Sequence, residues 1–292
     1  MNGRMRYAGM KSILEVPLLN EKYVAKVPTT SSDAVMLDLE DSAPPDQKSA
    51  MRERVLQVLE NRDLFGSRHV VVRVNNLATD WGRDDLKALA AHRGEIVICY
   101  PKVETEEELA EVVALSRAND AGRGVYAMVE TARAVIELER IARCDGLVGL
   151  HFGYVDFAAD AGCQLFNAEG DGLHAAMGYA RTKVAVAAAA YGLFSTGGSM
   201  VPDYKDLRKV ETFVRSWADV GYTACIALSP SHLEIVNRVL QPSAAMIDRA
   251  RLVCTAYEEA TARGLSNAIL DGKVVTTPDY RSASLLLARA GR

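Results

Sequence analysis

Short apolar runs alternate along the chain with longer stretches whose apolar residues recur at helical spacing. Residues 13–17, 34–41, 70–74, 96–103, 125–130, 147–153, 193–198 and 223–229 read as strands. Between and after them, 21–31, 46–61, 81–91, 106–119, 132–144, 173–191, 206–220 and 232–239 carry helical patterns. Strand then helix, eight times over about 240 residues, predicts an α/β fold of the (β/α)8 TIM-barrel type, because every parallel pair needs a crossover. The last two strands, rich in Gly, Ser and Thr, are the weakest of the pattern. A doubly wound open sheet is the alternative, but no Gly-x-Gly-x-x-Gly follows an early strand. Past Pro242 the pattern changes to a helix over 244–262 ended by Gly264, a linker over 265–278 and a helix over 279–290. The expected organisation is a barrel catalytic domain over 1–240 and a C-terminal helical extension over 241–292, serving as a lid or as a packing pair at a subunit contact. The alanine-rich 185–190 reads as a tight helix-packing face.

Composition narrows the function classes. A chain of 292 residues, 49% hydrophobic, buries a full core as one large α/β domain. Its net charge of -4, from 34 basic and 38 acidic residues, offers no footprint for nucleic acid or an anionic membrane. Five dispersed cysteines, Cys99, Cys144, Cys163, Cys225 and Cys254, without Cys-x-x-Cys or His-x-x-x-His spacing, read as reduced thiols and not as zinc ligands. The first ten residues lack the apolar stretch of a signal peptide and no 18-residue apolar run occurs, so a soluble, cytoplasmic protein is expected.

Barrel chemistry sits where strands end, and acids gather there. Glu130 closes the fifth strand and Asp156 lies just past the sixth. On one barrel face the two can share a hard cation, which outlines a Mg2+ site. The alternative is that Glu130 caps the helix beginning near Thr131 and Asp156 is a turn residue. Strand two ends Leu37-Asp38-Leu39-Glu40-Asp41-Ser42, and such acids are costly unless they meet cations or donors. Arg73, inside an apolar strand, suits a carboxylate, either one of these acids or a substrate's, and Lys102 adds a cation at the same rim.

Five motifs in order carry a resemblance: Leu37-Asp38-Leu39-Glu40-Asp41-Ser42 with Pro44 and Lys48; Val72-Arg73-Val74-Asn75 with Trp81-Gly82 and Asp85-Leu86; Pro101-Lys102-Val103-Glu104; Val129-Glu130-Thr131; and Phe152-Gly153-x-x-Asp156-Phe157. Over roughly 12–262 the chain resembles the HpcH/HpaI aldolase and citrate lyase β-subunit family. The resemblance implies a barrel of the phosphoenolpyruvate-binding superfamily, a homotrimer or hexamer, that uses Mg2+, or Mn2+ in its place, to make or break a carbon–carbon bond. The substrate it implies is a 2-oxo acid or hydroxy acid, or its acyl thioester, reacting through an enolate. Glu130 and Asp156 fall on the metal ligands, and Arg73 on the arginine that grips the substrate carboxylate. Glu40, Asp41 and Lys102 fall on supporting and rim positions.

The departures bear on CoA. Where CoA-using relatives carry Ile-His-Pro after strand eight, this chain has Leu228-Ser229-Pro230, with His232 further on. Thr276 stands where their tail carries a general acid/base aspartate, and threonine does not perform that proton transfer at pH 7. Gly197-Gly198 replace an Ile-Asp pair, Lys11 an arginine, and Leu18 a glycine. A CoA thioester substrate is therefore open to question. Besides a thioester lyase or a condensing enzyme, a free 2-oxo acid aldolase and a non-catalytic metal- and ligand-binding homologue remain as readings. A local base would come from His232, Asp271 or His151.

Overall fold

The computed structural model of the protein describes residues 6–7, 9–120 and 122–290. Its centre is a closed barrel of eight strands: β1 (Ser12–Val16), β2 (Ala34–Asp38), β3 (His69–Arg73), β4 (Val97–Tyr100), β5 (Gly124–Val129), β6 (Leu147–Phe152), β7 (Phe194–Gly198) and β8 (Ala224–Ala227). Neighbours pair in parallel and β8 returns to β1, with Ile13 opposite Ile226. The Gly- and Ser-rich β7 and β8 pair like the rest.

Period-2 alternation divides the core into two layers. On β5, Val125, Ala127 and Val129 face outward onto the helices, while Tyr126 and Met128 face inward with Met36, Cys99, Phe194 and Ile226. Small residues make room in both layers. A Cβ on Gly149 would lie 2.4 Å from the Phe194 ring, and one on Gly197 2.3 Å from Trp217.

Several strands are shorter than the apolar runs that predict them, because those runs continue into buried loops at the barrel mouth. Pro101 has no N–H for the ladder and Lys102 turns to a φ of +50°, so β4 stops at Tyr100 although Val103 is fully buried. The stretch expected as one helix over 132–144 is two, Ala132–Ile136 and Leu138–Ala142. A further helix, Tyr154–Ala161, follows β6 and places Asp156 in its first turn.

Past the barrel, the helix Ala244–Ala262 packs against the helix Thr277–Arg289. The expected linker between them holds a hairpin, β9 (Ala268–Leu270) and β10 (Lys273–Val275). Asp271 and Gly272, at φ +52° and +74°, form its two-residue turn. Among the described residues no helix is long and apolar enough to cross a membrane.

Candidate active site

β2 and β3 run in register with Asp38 opposite Arg73, and from this the charged mouth of the barrel is built. Arg73 donates from Nε to Asp38 Oδ1 at 2.6 Å and from Nη2 to Asp38 Oδ2 at 2.8 Å, a bidentate pair, and reaches Glu15 on β1 at 3.3 Å. Its remaining nitrogen, Nη1, lies 3.4 Å from Glu40 and 3.7 Å from Asp41. The two-pronged face of Arg73 is thus occupied by Asp38, Nη1 is left with the looser contacts, and the residue lines the cavity. Burial raises Asp38, but the Arg73 pairing and the N–H groups of Glu40 and Ser42 outweigh it and hold this carboxyl below the usual range. Glu15, which burial affects most and Arg73 relieves only partly, is raised.

Several motif residues turn out to be scaffold for these loops. Glu40 N–H and Ser42 N–H donate to Asp38, folding the chain back after β2. Lys48 Nζ donates to the carbonyls of Leu39 and Glu40 from beneath. Buried Asp85 accepts from Asn75 N–H, Asn75 Nδ2 and Arg52 Nε, and Asn75 Nδ2 also donates to Leu39 O. Gly82 permits this approach, since a Cβ there would lie 2.3 Å from Asn76 O.

Lys102 ties the second half of the charge cluster together. Asn76 Nδ2 donates to the carbonyls of Pro101 and Lys102, supporting the left-handed backbone at Lys102. From that conformation Lys102 N–H donates to Glu130 Oε2 at 2.9 Å, and Nζ donates to Glu40 Oε1 at 2.5 Å and lies 3.7 Å from Asp156. Glu130 is not the helix cap of the alternative reading: Thr131 caps, accepting from Ala134 N–H. Nor is Asp156 a turn residue, being helical.

Six carboxylates, of Glu15, Asp38, Glu40, Asp41, Glu130 and Asp156, therefore share two cations, Arg73 and Lys102. The consequence is largest at Glu130, which is 3% exposed and pushed up to about 8, by burial first and then by the charges of Glu40 and Asp156. One buried oxygen, Glu40 Oε2, has no hydrogen-bond partner. Among the described residues no three His, Cys, Asp or Glu side chains converge into a fuller ligand group. A hard divalent cation fits this donor set: two carboxylates, Glu130 and Asp156, can hold it, its charge offsets the anionic excess, and positions remain for water and substrate.

A cavity of about 230 Å³ opens beside these groups. Its charged lining comes from β1 to β6 and the loops that follow them: Glu15, Asp41, Arg73, Glu130 and Asp156. From β7, β8 and the segments after them come only uncharged groups, among them Gly198, Ser199, Met200 and Leu228. A Cβ on Gly153 would lie 2.3 Å from Glu130 Cγ, so that glycine reserves the space of the carboxylate.

Of the three candidate bases, His151 alone lines the cavity. His232 is buried with both nitrogens engaged, Nδ1 by Ser199 Oγ at 2.8 Å and Nε2 by Tyr204 O at 2.8 Å. Asp271 pairs with Arg249 at the hairpin turn. Ser229 accepts from Ser231 N–H as the cap of the helix Pro230–Leu240, and Thr276 caps the last helix, its N–H and hydroxyl both donating to Asp279. Lys11 lies at the amino end of β1, away from the mouth, and Leu18 is core. The sequence marks Asp38 as one of three costly acids ending strand two without singling it out as the partner of Arg73, which the β2–β3 register does; Glu15 it does not mark at all, since a lone acid on β1 reads as an ordinary strand position until the closed barrel brings it to Arg73.

A family model described as HpcH/HpaI aldolase/citrate lyase matches residues 11–230. The chain is 31% identical over 280 residues to a (3S)-malyl-CoA thioesterase of Cereibacter sphaeroides, covering 96% of this chain and 94% of that one. It is 27% identical over 286 residues to the L-malyl-CoA/beta-methylmalyl-CoA lyase of Rhodobacter capsulatus, covering 91% and 89%. Among solved structures, CitE from Mycobacterium tuberculosis in complex with magnesium, acetoacetate and coenzyme A superposes with a TM-score of 0.75 at 27% identity, covering 98% of this chain and 99% of that one.

Proposed function

Since the chain belongs to the HpcH/HpaI aldolase/citrate lyase family, we propose that it is a Mg2+-dependent carbon–carbon lyase, or the condensing enzyme that runs the same step in reverse, acting on a 2-oxo or hydroxy acid or its acyl thioester. The observation that carries this reading is the anionic excess at the barrel mouth, with Glu130 buried and raised to about 8 beside Asp156 and an adjoining cavity. Glu130 and Asp156 would hold the ion, and Mn2+ would serve in its place. A bound Mg2+ supplies Lewis-acid polarisation of the substrate carbonyl. The chain's own groups orient the substrate: Arg73 Nη1 binds its carboxylate, and Asp38, through its grip on Nε and Nη2, fixes where Nη1 points. Lys102 holds Glu40 and the Glu130 carboxyl in place through its two donors. Cleavage next to the carbonyl leaves electrons on an enolate oxygen, which needs donors already in position.

Ser229 and Thr276, where CoA-using relatives carry a histidine and a general acid/base aspartate, are both engaged as helix caps and favour a free acid as substrate, whereas the likeness to enzymes named for malyl-CoA favours the thioester. The segment over 241–292 would cover the mouth or mediate assembly. Its exposed Leu252, Ile269 and Val274 suit a homo-oligomer, a trimer or hexamer, which sedimentation would measure.

Calorimetric titration with Mg2+ tests the metal site: Glu130→Gln and Asp156→Asn should each weaken binding at least tenfold, and parental affinity in both would remove the assignment. Incubation with Mg2+ and pyruvate, oxaloacetate, glyoxylate or malyl-CoA, followed by mass spectrometry, tests the reaction. Ligand-induced thermal stabilisation without turnover across the panel would favour the non-catalytic reading.

A further inference from the structure

Inward-facing residues two apart on a strand stack towards the mouth. Met128 therefore lies beneath Glu130, Ile226 beneath Leu228, and His151 beneath Gly153, and these residues all line the cavity. Met36 lines the cavity with them, as do the charged Glu15 and Arg73, and His151 is the uncharged polar ring among these groups. Its ring is 5% exposed, with Nδ1 2.9 Å from Thr196 Oγ1, and the Tyr126 hydroxyl meets the same oxygen.

Counting protons gives this chain of hydrogen bonds a direction. Thr196 has one hydroxyl proton, and the buried Tyr126 hydroxyl has no other partner among the described residues. If His151 Nδ1–H donated to Thr196, three protons would share two contacts, and either the Thr196 or the Tyr126 proton would be buried without an acceptor, at a cost of about 1–3 kcal/mol. The opposite order, Tyr126 to Thr196 to Nδ1, satisfies every proton. It leaves Nδ1 bare and puts the ring proton on Nε2. That nitrogen has no partner among the described residues and is not one of the sealed, unpaired polar atoms, so it opens into the cavity.

We propose that His151 donates its Nε2–H to an oxygen of the bound substrate, and that Thr196 and Tyr126 are positioning residues that fix the tautomer. The proposal rests on the lyase reading of the cavity. The ring suits the task because it stays neutral: burial, and after it the positive charge of Arg73, push it down to about 3, outweighing the backbone of Thr196, which raises it. A neutral Nε2–H has no lone pair to take a proton, so His151 is an electrophilic donor to developing negative charge and not the missing base. The surrounding Met36, Met128 and Ile226 lower the local dielectric and strengthen such a bond.

Long-range 1H–15N spectra of the histidines test the tautomer without any turnover. Nε2 should be protonated and Nδ1 bare from pH 5 to 8. Thr196→Val should give mixed tautomers, while Tyr126→Phe, which leaves the Thr196 proton free to donate, should change little. Saturating pyruvate with Mg2+ should shift the Nε2 signal. In turnover, His151→Phe should lower kcat about 10²-fold with KM and Mg2+ affinity within a few-fold and an unaltered pH profile, and His151→Gln should recover part of the loss. An Nδ1–H tautomer in the parent, ring protonation between pH 5 and 8, or parental kcat in His151→Phe would overturn the proposal. If the parent turns over no substrate, the lyase reading fails instead, and the shift of Nε2 with bound pyruvate still decides whether His151 meets a ligand; no shift would count against it.

Discussion

Glu130 is the residue at which burial and charge conflict most, and the conflict is measurable. Its carboxyl is raised from 4.5 to about 8 in the folded chain. The folded state therefore binds a proton that the unfolded state releases between those values, and stability from this group is full below about pH 4.5 and is lost as pH rises towards 8. Metal-free protein should show a Tm that falls from pH 5 to 8 relative to Glu130→Gln, and saturating Mg2+ should flatten the difference; parallel curves for parent and variant would contradict the burial argument. That Glu130, Asp156 and Arg73 meet at the barrel mouth was legible in the sequence, because an acid or arginine at the end of an apolar strand is costly without a partner. Asp38 was legible only as one of three acids that could meet Arg73; that it makes the shortest contact to Arg73 follows from the β2–β3 register alone.

At the scale of elements, the helix Tyr154–Ala161 and the loops after β2 and β4 aim the site, and Gly153 is the hinge of that arrangement. Its φ of -81° is open to any residue, so the requirement for glycine is steric. Gly153→Ala would press a methyl into the Glu130 carboxylate. It should cost about 1–3 kcal/mol of stability, the usual range for overpacking, and weaken Mg2+ binding at least tenfold while far-UV circular dichroism stays parental. Unchanged metal affinity would mean that Glu130 has room to move. The alternation of apolar runs revealed all eight barrel strands but not their ends, because buried mouth loops are as apolar as the strands they extend. The β9–β10 hairpin was also legible in principle: Asp271-Gly272 between Ala268-Ile269-Leu270 and Lys273-Val274-Val275 is a two-residue turn signal, hidden by the polar residues on either side.

For the whole molecule, barrel closure is a non-local property: β8 pairs with β1 across more than 200 residues of chain, and no local pattern contains it. Repetition of eight units implied closure, and the charge distribution around the rim became visible only once the circle was complete. All charged cavity groups lie on the arc from β1 to the segment after β6, and the arc from β7 to the segment after β8 is neutral. On the lyase reading, a hydroxy acid meets three distinct fixed features: Glu130 with Asp156, the Nη1 edge of Arg73, and the neutral wall of Gly198, Met200 and Leu228. Three unlike points around a tetrahedral carbon distinguish an object from its mirror image. The ring of strands therefore confers handedness on the reaction, and consumption of a racemic hydroxy-acid substrate, followed by chiral chromatography, should halt with one enantiomer untouched.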